Sequence, residues 1–525
     1  MKTMFVFLII LISFIETLAF KCGHDKIFHN RTVHPLPVKF NEINSQSFAS
    51  SSNDYLDINI YVDYTSINVK KLVDEAYIEH LKKGLEKTKK AFSSLIGVNT
   101  HYIMTFDQVY LHQCDSNLIL SQEMKEGVSA DLVLLPIVVS ESTLGVGVIA
   151  AAGACLSAPT KDNRPVVGIV YLGANYDFSQ ENSDTYMAEI LFHEITHVLV
   201  FSPNLFDYFP EDSKPVTEIV EWNGQKRTVV CSPKVLKVAK KYFDCSSMEG
   251  VELEDQGGTG SAGAHWESRV MLGDYMVSSD YRERAISEIT LALFEDSGWY
   301  KVNYYTGGIV RYGKYRGCDF IDKKCIIDER STFDEFCTES SQPMCYPGHL
   351  SKGICNLQTS IPDIPSKYQY WKDTTKGGFG PADYCPVAFH RRAQDEDYKF
   401  NGHCEYGKPY NNTPYGETLG NTSTCFMSSL VKDGSQGLST LKPICHSVTC
   451  SKNSYTITIE GNNITCDEDT KSVKVPGYSG EIQCVDIHRV CTGTTFCNDI
   501  YSCIEAKSLS TEGLKGTYIK VSYLY

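Results

Sequence analysis

Most of the twenty cysteines of this 525-residue chain crowd beyond Cys318, and that partition sets two folding regimes. Past about residue 310, short segments between cysteines alternate with Gly, Pro, Asn and Ser turns, so this half is expected to be stapled rather than core-driven. Cross-linking at that density belongs to the secretory pathway. The pairing itself is not readable from the sequence.

The amino terminus agrees with that compartment. Lys2, the apolar run Met4 to Phe14 and the small residue closing Thr17-Leu18-Ala19 read as a signal peptide over residues 1–19. The run is shorter than the roughly 20 residues a spanning helix needs. Sequons at Asn30, Asn411, Asn421 and Asn463 are candidate glycan sites. No later stretch is apolar enough to cross a bilayer, and the end of the chain lacks the hydrophobic tail that directs a lipid anchor. The expectation is a secreted, soluble protein with no transmembrane segment, an indirect association with a cell surface being left open. A net charge of −15 without a basic cluster argues against nucleic acid as a partner.

Residues 20–52 are polar, Ser-rich and weakly periodic, which suggests a propeptide or linker ending between Ser45 and Tyr55. The first convincing strand follows, with Leu56, Ile58, Ile60 and Val62 alternating. A helix is expected over 71–96, its Ile78, Leu81, Leu85 and Phe92 inward and Lys87-Thr88-Lys89-Lys90 on a solvated face. Further strands are expected at Leu132 to Val139, despite Pro136, and at Val166 to Tyr171. Mixed strands and helices make the amino-terminal half α+β.

These elements lead to His193-Glu194-Ile195-Thr196-His197. Two imidazoles four residues apart on a helix face one side, with the glutamate between them. Neutral imidazole nitrogen is a good zinc ligand, and two such ligands leave coordination sites for a third ligand and for water. The carboxylate is then placed to take the proton of the zinc-activated water and deliver it to a leaving amine, which is peptide hydrolysis without a covalent intermediate. A chance match in a chain this long is expected at roughly a per cent or two, so context must support it. Leu191, Ile195 and Val198 supply the apolar face opposite the histidines over Asp184 to Leu199.

Two candidates compete for the third ligand. Glu218 or Glu221 would complete the site as a glutamate does in thermolysin-like and aminopeptidase-like zinc enzymes, and the corresponding reading of this chain is an exopeptidase. His265 follows the glycine-rich run Gly257 to Ala264, and Met276 stands eleven residues on, where a polarizable side chain could floor a metal site.

The order of H-E-I-T-H, Gly260-Ser261-Ala262-Gly263-Ala264-His265-Trp266-Glu267, Met276, and Ile289 to Tyr300 resembles the leishmanolysin branch of the metzincin metallopeptidases. The similarity continues through Gly317-Cys318-Asp319-Phe320 and Ala382 to Val387, so it spans most of the chain. It implies a zincin catalytic module with zinc ligands His193, His197 and His265, general base Glu194 and Met-turn residue Met276. The 67 residues between His197 and His265 would be an insertion of the kind this branch carries. Cys231 and Cys245 lie inside it, either paired to each other or elsewhere.

One position departs from the family. Val200 stands where a glycine normally ends the helix. Either a β-branched residue is strained there by about 1–3 kcal/mol, or the helix ends later. Near the amino terminus, Lys21-Cys22-Gly23-His24-Asp25 resembles the cysteine-bearing segment of leishmanolysin propeptides. Cys22 is then either a thiolate that blocks the zinc until the propeptide leaves, or half of an ordinary disulfide.

The expected architecture is a propeptide over 20–52, an N-terminal zincin subdomain over 53–200, a central subdomain over 201–310 and a cysteine-rich carboxy-terminal domain over 311–525. The expected activity is that of a secreted zinc metalloendopeptidase acting on proteins or peptides. The alternative is an inert homologue acting as an adhesion or binding protein, with Val200 as its support.

Overall fold

A computed structural model describes residues 21–28, 31–36, 40–43 and 55–491, apart from 161, 177–182, 211–214, 223, 257–261, 279–283, 303, 305–309, 363, 390–401, 406–413 and 438. The signal-peptide reading and the sequons at Asn30 and Asn411 fall outside the described residues. The fold is the expected mixture: an α+β amino-terminal half and a carboxy-terminal region cross-linked by disulfides.

The amino-terminal half is built on one sheet. Its strands run, in spatial order, Lys21–Cys22, Val148–Ser157, Pro165–Gly173, Leu132–Val139 and Ile60–Val62, and His34–Pro35 also pairs with Val148–Ser157. Leu132–Val139 is apolar throughout because both of its faces are covered. Leu132, Leu134 and Val138 join the core under the helices, whereas Val133, Leu135, Ile137 and Val139 point to a second core on the opposite side. Pro136 sits inside this central strand, paired with Val170 across a parallel register. The expected strand from Leu56 to Val62 is broken: Leu56–Asp57 pairs elsewhere, and only Ile60–Val62 joins the sheet.

Two helices cover one face. Glu75–Leu95 buries Ile78, Leu81, Leu85 and Phe92, as its periodicity predicts. Thr88, assigned above to the solvated face, is buried instead, because its hydroxyl donates to Gly84 O (2.8 Å) and to Ala188 O on the neighbouring helix (3.1 Å). That neighbour, Ser183–Leu199, carries the two motif histidines. Gly168 lets it approach the sheet, since a Cβ there would meet Val198 Cγ1 at 2.2 Å. Phe92 stacks on Phe192 at 4.1 Å between ring centroids and locks the two helices together.

The segment between the motif helix and His265 folds as the hairpin Thr217–Trp222 and Gln225–Val230 followed by the helix Pro233–Phe243. Cys245 pairs with Cys318, so the alternative of a Cys231–Cys245 link within the insertion does not occur. The bond instead ties the insertion to the start of the cysteine-rich region.

Beyond it lies a six-stranded sheet in the order Asn462–Asp467, Ser454–Ile459, Lys442–Cys450, Ser423–Ser428, Ile482–Gln483 and Ser472–Val473. Its apolar core is small, and Cys345–Cys425, Cys404–Cys445, Cys450–Cys491 and Cys466–Cys484 cross-link it. His446 is fully buried in this region, and burial holds its pKa down to about 4. The folded value lies below the unfolded one, so stability from the neutral ring is complete above about pH 6.5 and is lost as pH falls toward 4. The loss should be on the order of 3 kcal/mol. Denaturation midpoints at pH 7 and 4.5 should therefore converge in His446→Asn relative to wild type. An unchanged pH slope in the variant would contradict this.

Candidate metal centre

The two motif histidines emerge from one face of Ser183–Leu199, and each is held by a backbone carbonyl. His193 Nδ1 lies 2.7 Å from Tyr275 O, and His197 Nδ1 lies 2.7 Å from Phe201 O. With Nδ1–H donating to these acceptors, the Nε2 lone pairs are bare and point into the site. Burial, then the neighbouring His265, holds the His193 ring well below its ordinary pKa; burial, then His24, does the same to His197. Both rings are thereby kept in the neutral, ligating form.

His265 reaches the same point from the far end of the insertion. Its Nε2 is 3.2 Å from His193 Nε2, which is itself 3.2 Å from His197 Nε2. Four tetrahedral ligands at zinc–nitrogen distances of about 2.0–2.1 Å stand about 3.3 Å apart, so this spacing fits zinc. The cluster of His193, His197, His265 and Cys22, all buried, is of the kind that holds a metal ion.

Beneath it, Asp274 organises the turn that carries Met276. Its carboxylate accepts from Met276 N (2.7 Å), Ser287 N (3.0 Å) and Thr290 Oγ1 (2.8 Å), and burial raises its pKa to about 6. Tyr275 thereby presents its carbonyl to His193, and its hydroxyl meets Thr196 Oγ1 at 2.8 Å. Trp266 N donates to Met276 O at 3.0 Å, which couples the His265 loop to the same turn. Met276 is fully buried.

Glu194 is also fully buried, and its Oε2 accepts from Ala152 N at 2.9 Å. Ala152 belongs to Val148–Ser157, the strand that borders the site. Sequence periodicity does not mark this strand. It is mostly alanine, glycine and small residues, and so gives a weak apolar signal.

The amino-terminal segment lies on that same border. Lys21–Cys22 pairs with it in parallel, Gly23 N donates to Ala150 O (3.1 Å), and Cys22 Sγ lies 3.4 Å from His197 Nε2. His24 stacks on His197 at 4.2 Å and approaches Ser202 Oγ at 3.0 Å. Phe28 fills a notch over Gly153, where a Cβ would meet its ring at 2.5 Å. Arg31 caps that ring at 4.9 Å and donates to Cys114 O at 3.1 Å.

The glutamate alternatives do not approach the histidines: Glu218 and Glu221 lie exposed on the outer hairpin. Val200 is not among the residues with positive φ. The helix runs through Leu199, Val200 N donates to Thr196 O at 2.9 Å, and the valine side chain is fully buried. The strain considered above is absent, and with it the support for an inert homologue. Val200→Gly should lower stability by about 2–4 kcal/mol through lost burial and added backbone entropy, without raising activity. A denaturant titration that found the glycine variant more stable would overturn this.

Among proteins of known family, a model described as leishmanolysin, peptidase family M8, matches residues 98–498. A leishmanolysin-like peptidase of Drosophila pseudoobscura pseudoobscura is 29% identical over 338 residues, 53% of this chain and 49% of its own length. Leishmanolysin of Leishmania tropica is 30% identical over 246 residues, 46% of this chain and 36% of its own. A leishmanolysin homolog of Crithidia fasciculata is 32% identical over 243 residues, again 46% of this chain and 36% of its own. The aligned part thus spans between about a third and a half of each relative's length. With a family match over most of its residues, beside a buried histidine cluster that could hold a metal ion, the chain belongs to the leishmanolysin family of metallopeptidases.

Proposed function

We propose that the protein is a secreted zinc endopeptidase, made as a latent precursor, that hydrolyses peptide bonds in proteins. The observation that carries this reading is the convergence of three Nε2 atoms at 3.2 Å spacings beside the buried carboxylate of Glu194. His193, His197 and His265 would hold the metal. Zinc, when bound, supplies a Lewis acid that polarises the scissile carbonyl and acidifies water.

The rest of the chemistry belongs to the chain. Glu194, oriented by Ala152 N–H, takes the proton of the attacking water and returns it to the departing amine. The border of Val148–Ser157 offers backbone groups to an extended substrate by strand addition, as it does to Lys21–Cys22. Because that segment occupies the border and brings Cys22 Sγ to the histidines, Cys22 is assigned the role of a thiolate blocking the metal until residues near 21–36 are released. Among the described residues no helix is long and apolar enough to cross a membrane, and the eight disulfides suit an oxidising compartment.

The test is hydrolysis of an unfolded protein by the secreted chain freed of its amino-terminal segment, with and without a zinc chelator. Cleavage abolished by chelation and restored by zinc is expected. Zinc-loaded, folded protein that cleaves nothing would reject the reading.

A further inference from the structure

A second group of buried charges lies behind the His265 loop. Four carboxylates, Glu252, Glu254, Glu267 and Asp383, are each at most 7% exposed. Burying ionised carboxylates without compensation is prohibitively costly, so the partners of each can be traced. Arg227 pairs with Glu252 and, through Nη2, with Asp383 Oδ2 at 2.8 Å. Arg269 Nη2 reaches Glu252 Oε2 at 3.2 Å, and its Nε lies 3.5 Å from Asp383 Oδ2. Both guanidinium groups also stack on Trp222, at 4.4 and 4.7 Å. Two cations therefore balance two carboxylates. Nearby Asp255 is balanced by Lys367 Nζ at 2.9 Å.

Glu254 and Glu267 make no ion pair among the described residues. Glu254 accepts from Gln256 N at 2.7 Å and from Ser278 Oγ at 3.2 Å. Glu267 Oε1 accepts from Arg269 N at 2.9 Å, whereas Oε2 is buried and accepts no hydrogen bond among the described residues. One ligand oxygen from each of Glu254, Asp255 and Glu267 lies within 4.8 Å of the other two.

We propose that Glu254, Asp255 and Glu267 form a second cation site, for a hard divalent ion of the calcium class. Calcium–oxygen distances of about 2.3–2.6 Å place oxygens on opposite sides of the ion up to about 5 Å apart, so three carboxylates at this spacing can share one ion. An all-oxygen donor set suits hard cations better than zinc, which favours nitrogen and sulfur. Magnesium's smaller, rigid octahedron keeps much of its own water, which suits a mostly buried pocket poorly. The neighbouring triad of Glu252, Glu267 and Asp383 also has its oxygens within 4.8 Å, but two fully buried guanidinium groups already fill it, whereas the chosen triad meets one ammonium, Lys367 Nζ, at its solvent-facing Asp255. Asp255, whose side chain is 30% exposed, opens the chosen triad to solvent and leaves room for water ligands. A charge of +2 there matches Glu254 and Glu267, the two carboxylates of the group that make no ion pair among the described residues.

The site would brace the third histidine. Glu254 N donates to His265 O and Glu254 O accepts from Gly263 N, both at 2.9 Å, while Glu267 lies two residues beyond His265. An ion holding both glutamates fixes the two ends of this loop to each other. The inference does not depend on peptidase activity, because its ligands and its readout are separate from the histidine centre.

The experiment is terbium luminescence on the full chain with the histidine centre filled by one equivalent of zinc. Terbium stands in for calcium and is sensitised by the nearby Tyr368, whose hydroxyl is 3.0 Å from Asp255 Oδ1. Sensitised emission displaced by millimolar calcium is expected, together with a rise of about 2–4 °C in the unfolding midpoint on adding calcium. Asp255→Asn, at a partly exposed position, and Glu267→Gln, nearly isosteric, should each weaken terbium binding by about tenfold or more. Absence of emission from wild type overturns the proposal. So does emission of equal strength and affinity in both folded variants.

Discussion

Replacing Glu194 with glutamine should lower kcat by about 10²- to 10⁴-fold while leaving zinc content and the unfolding midpoint nearly unchanged. Glutamine keeps the size of the side chain and an oxygen to accept from Ala152 N, at 2.9 Å in the wild type. It cannot take a proton from water. The variant therefore removes basicity and little else. His265→Ala is the informative contrast, because it takes away one of three convergent nitrogens and should lose metal and activity together. Metal analysis beside steady-state kinetics on both variants separates the two roles. Turnover by Glu194→Gln within tenfold of wild type would assign the base elsewhere.

The second large effect concerns the amino-terminal segment. In the unprocessed chain, Cys22→Ala should raise hydrolysis above the latent wild type, but by less than removal of residues 21–36. The thiol is one of several contacts. Lys21–Cys22 and His34–Pro35 both pair with Val148–Ser157, and Phe28 is buried between Gly153 and Arg31. Burying a phenylalanine contributes about 2–3 kcal/mol, which corresponds to about 30- to 150-fold in occupancy of the cleft. Cys22→Ala with Phe28→Ala should therefore exceed Cys22→Ala alone by about that factor. Rates measured on uncleaved protein, with the chain length verified after the assay, test this. If the unprocessed Cys22→Ala protein is as inactive as wild type while the shortened chain is active, strand occupancy rather than the thiol maintains latency.

The parallel direction of that pairing follows from the register of Lys21 with Val148 and Cys22 with Ala150. It gives the segment a role that its composition hides. Residues 20–52 are polar and weakly periodic, and a short strand supplied to an existing sheet edge needs no periodicity of its own. The same blindness applies to Val148–Ser157, whose alanines and glycine are small because a helix carboxylate, a phenylalanine ring and a second strand all press against it.

Local spacing alone determined the motif helix, since histidines four residues apart opposite Leu191, Ile195 and Val198 are a property of 3.6 residues per turn. It also determined Leu132–Val139 and the core of Pro165–Gly173, where continuous apolar runs have few alternatives to a buried strand. The ordered set of motifs around His193, His265 and Met276 carried the family likeness. The tertiary structure decided the rest. It brought His265 within 3.2 Å of His193 across the insertion, paired Cys245 with Cys318, buried Thr88, relieved Val200 of strain and gathered the carboxylates behind the third histidine. Periodicity reports which face of an element is buried, because that depends on neighbours one turn or one pleat away. Which distant groups meet on that face depends on how elements cross, and that information is spread over the packing of the whole chain.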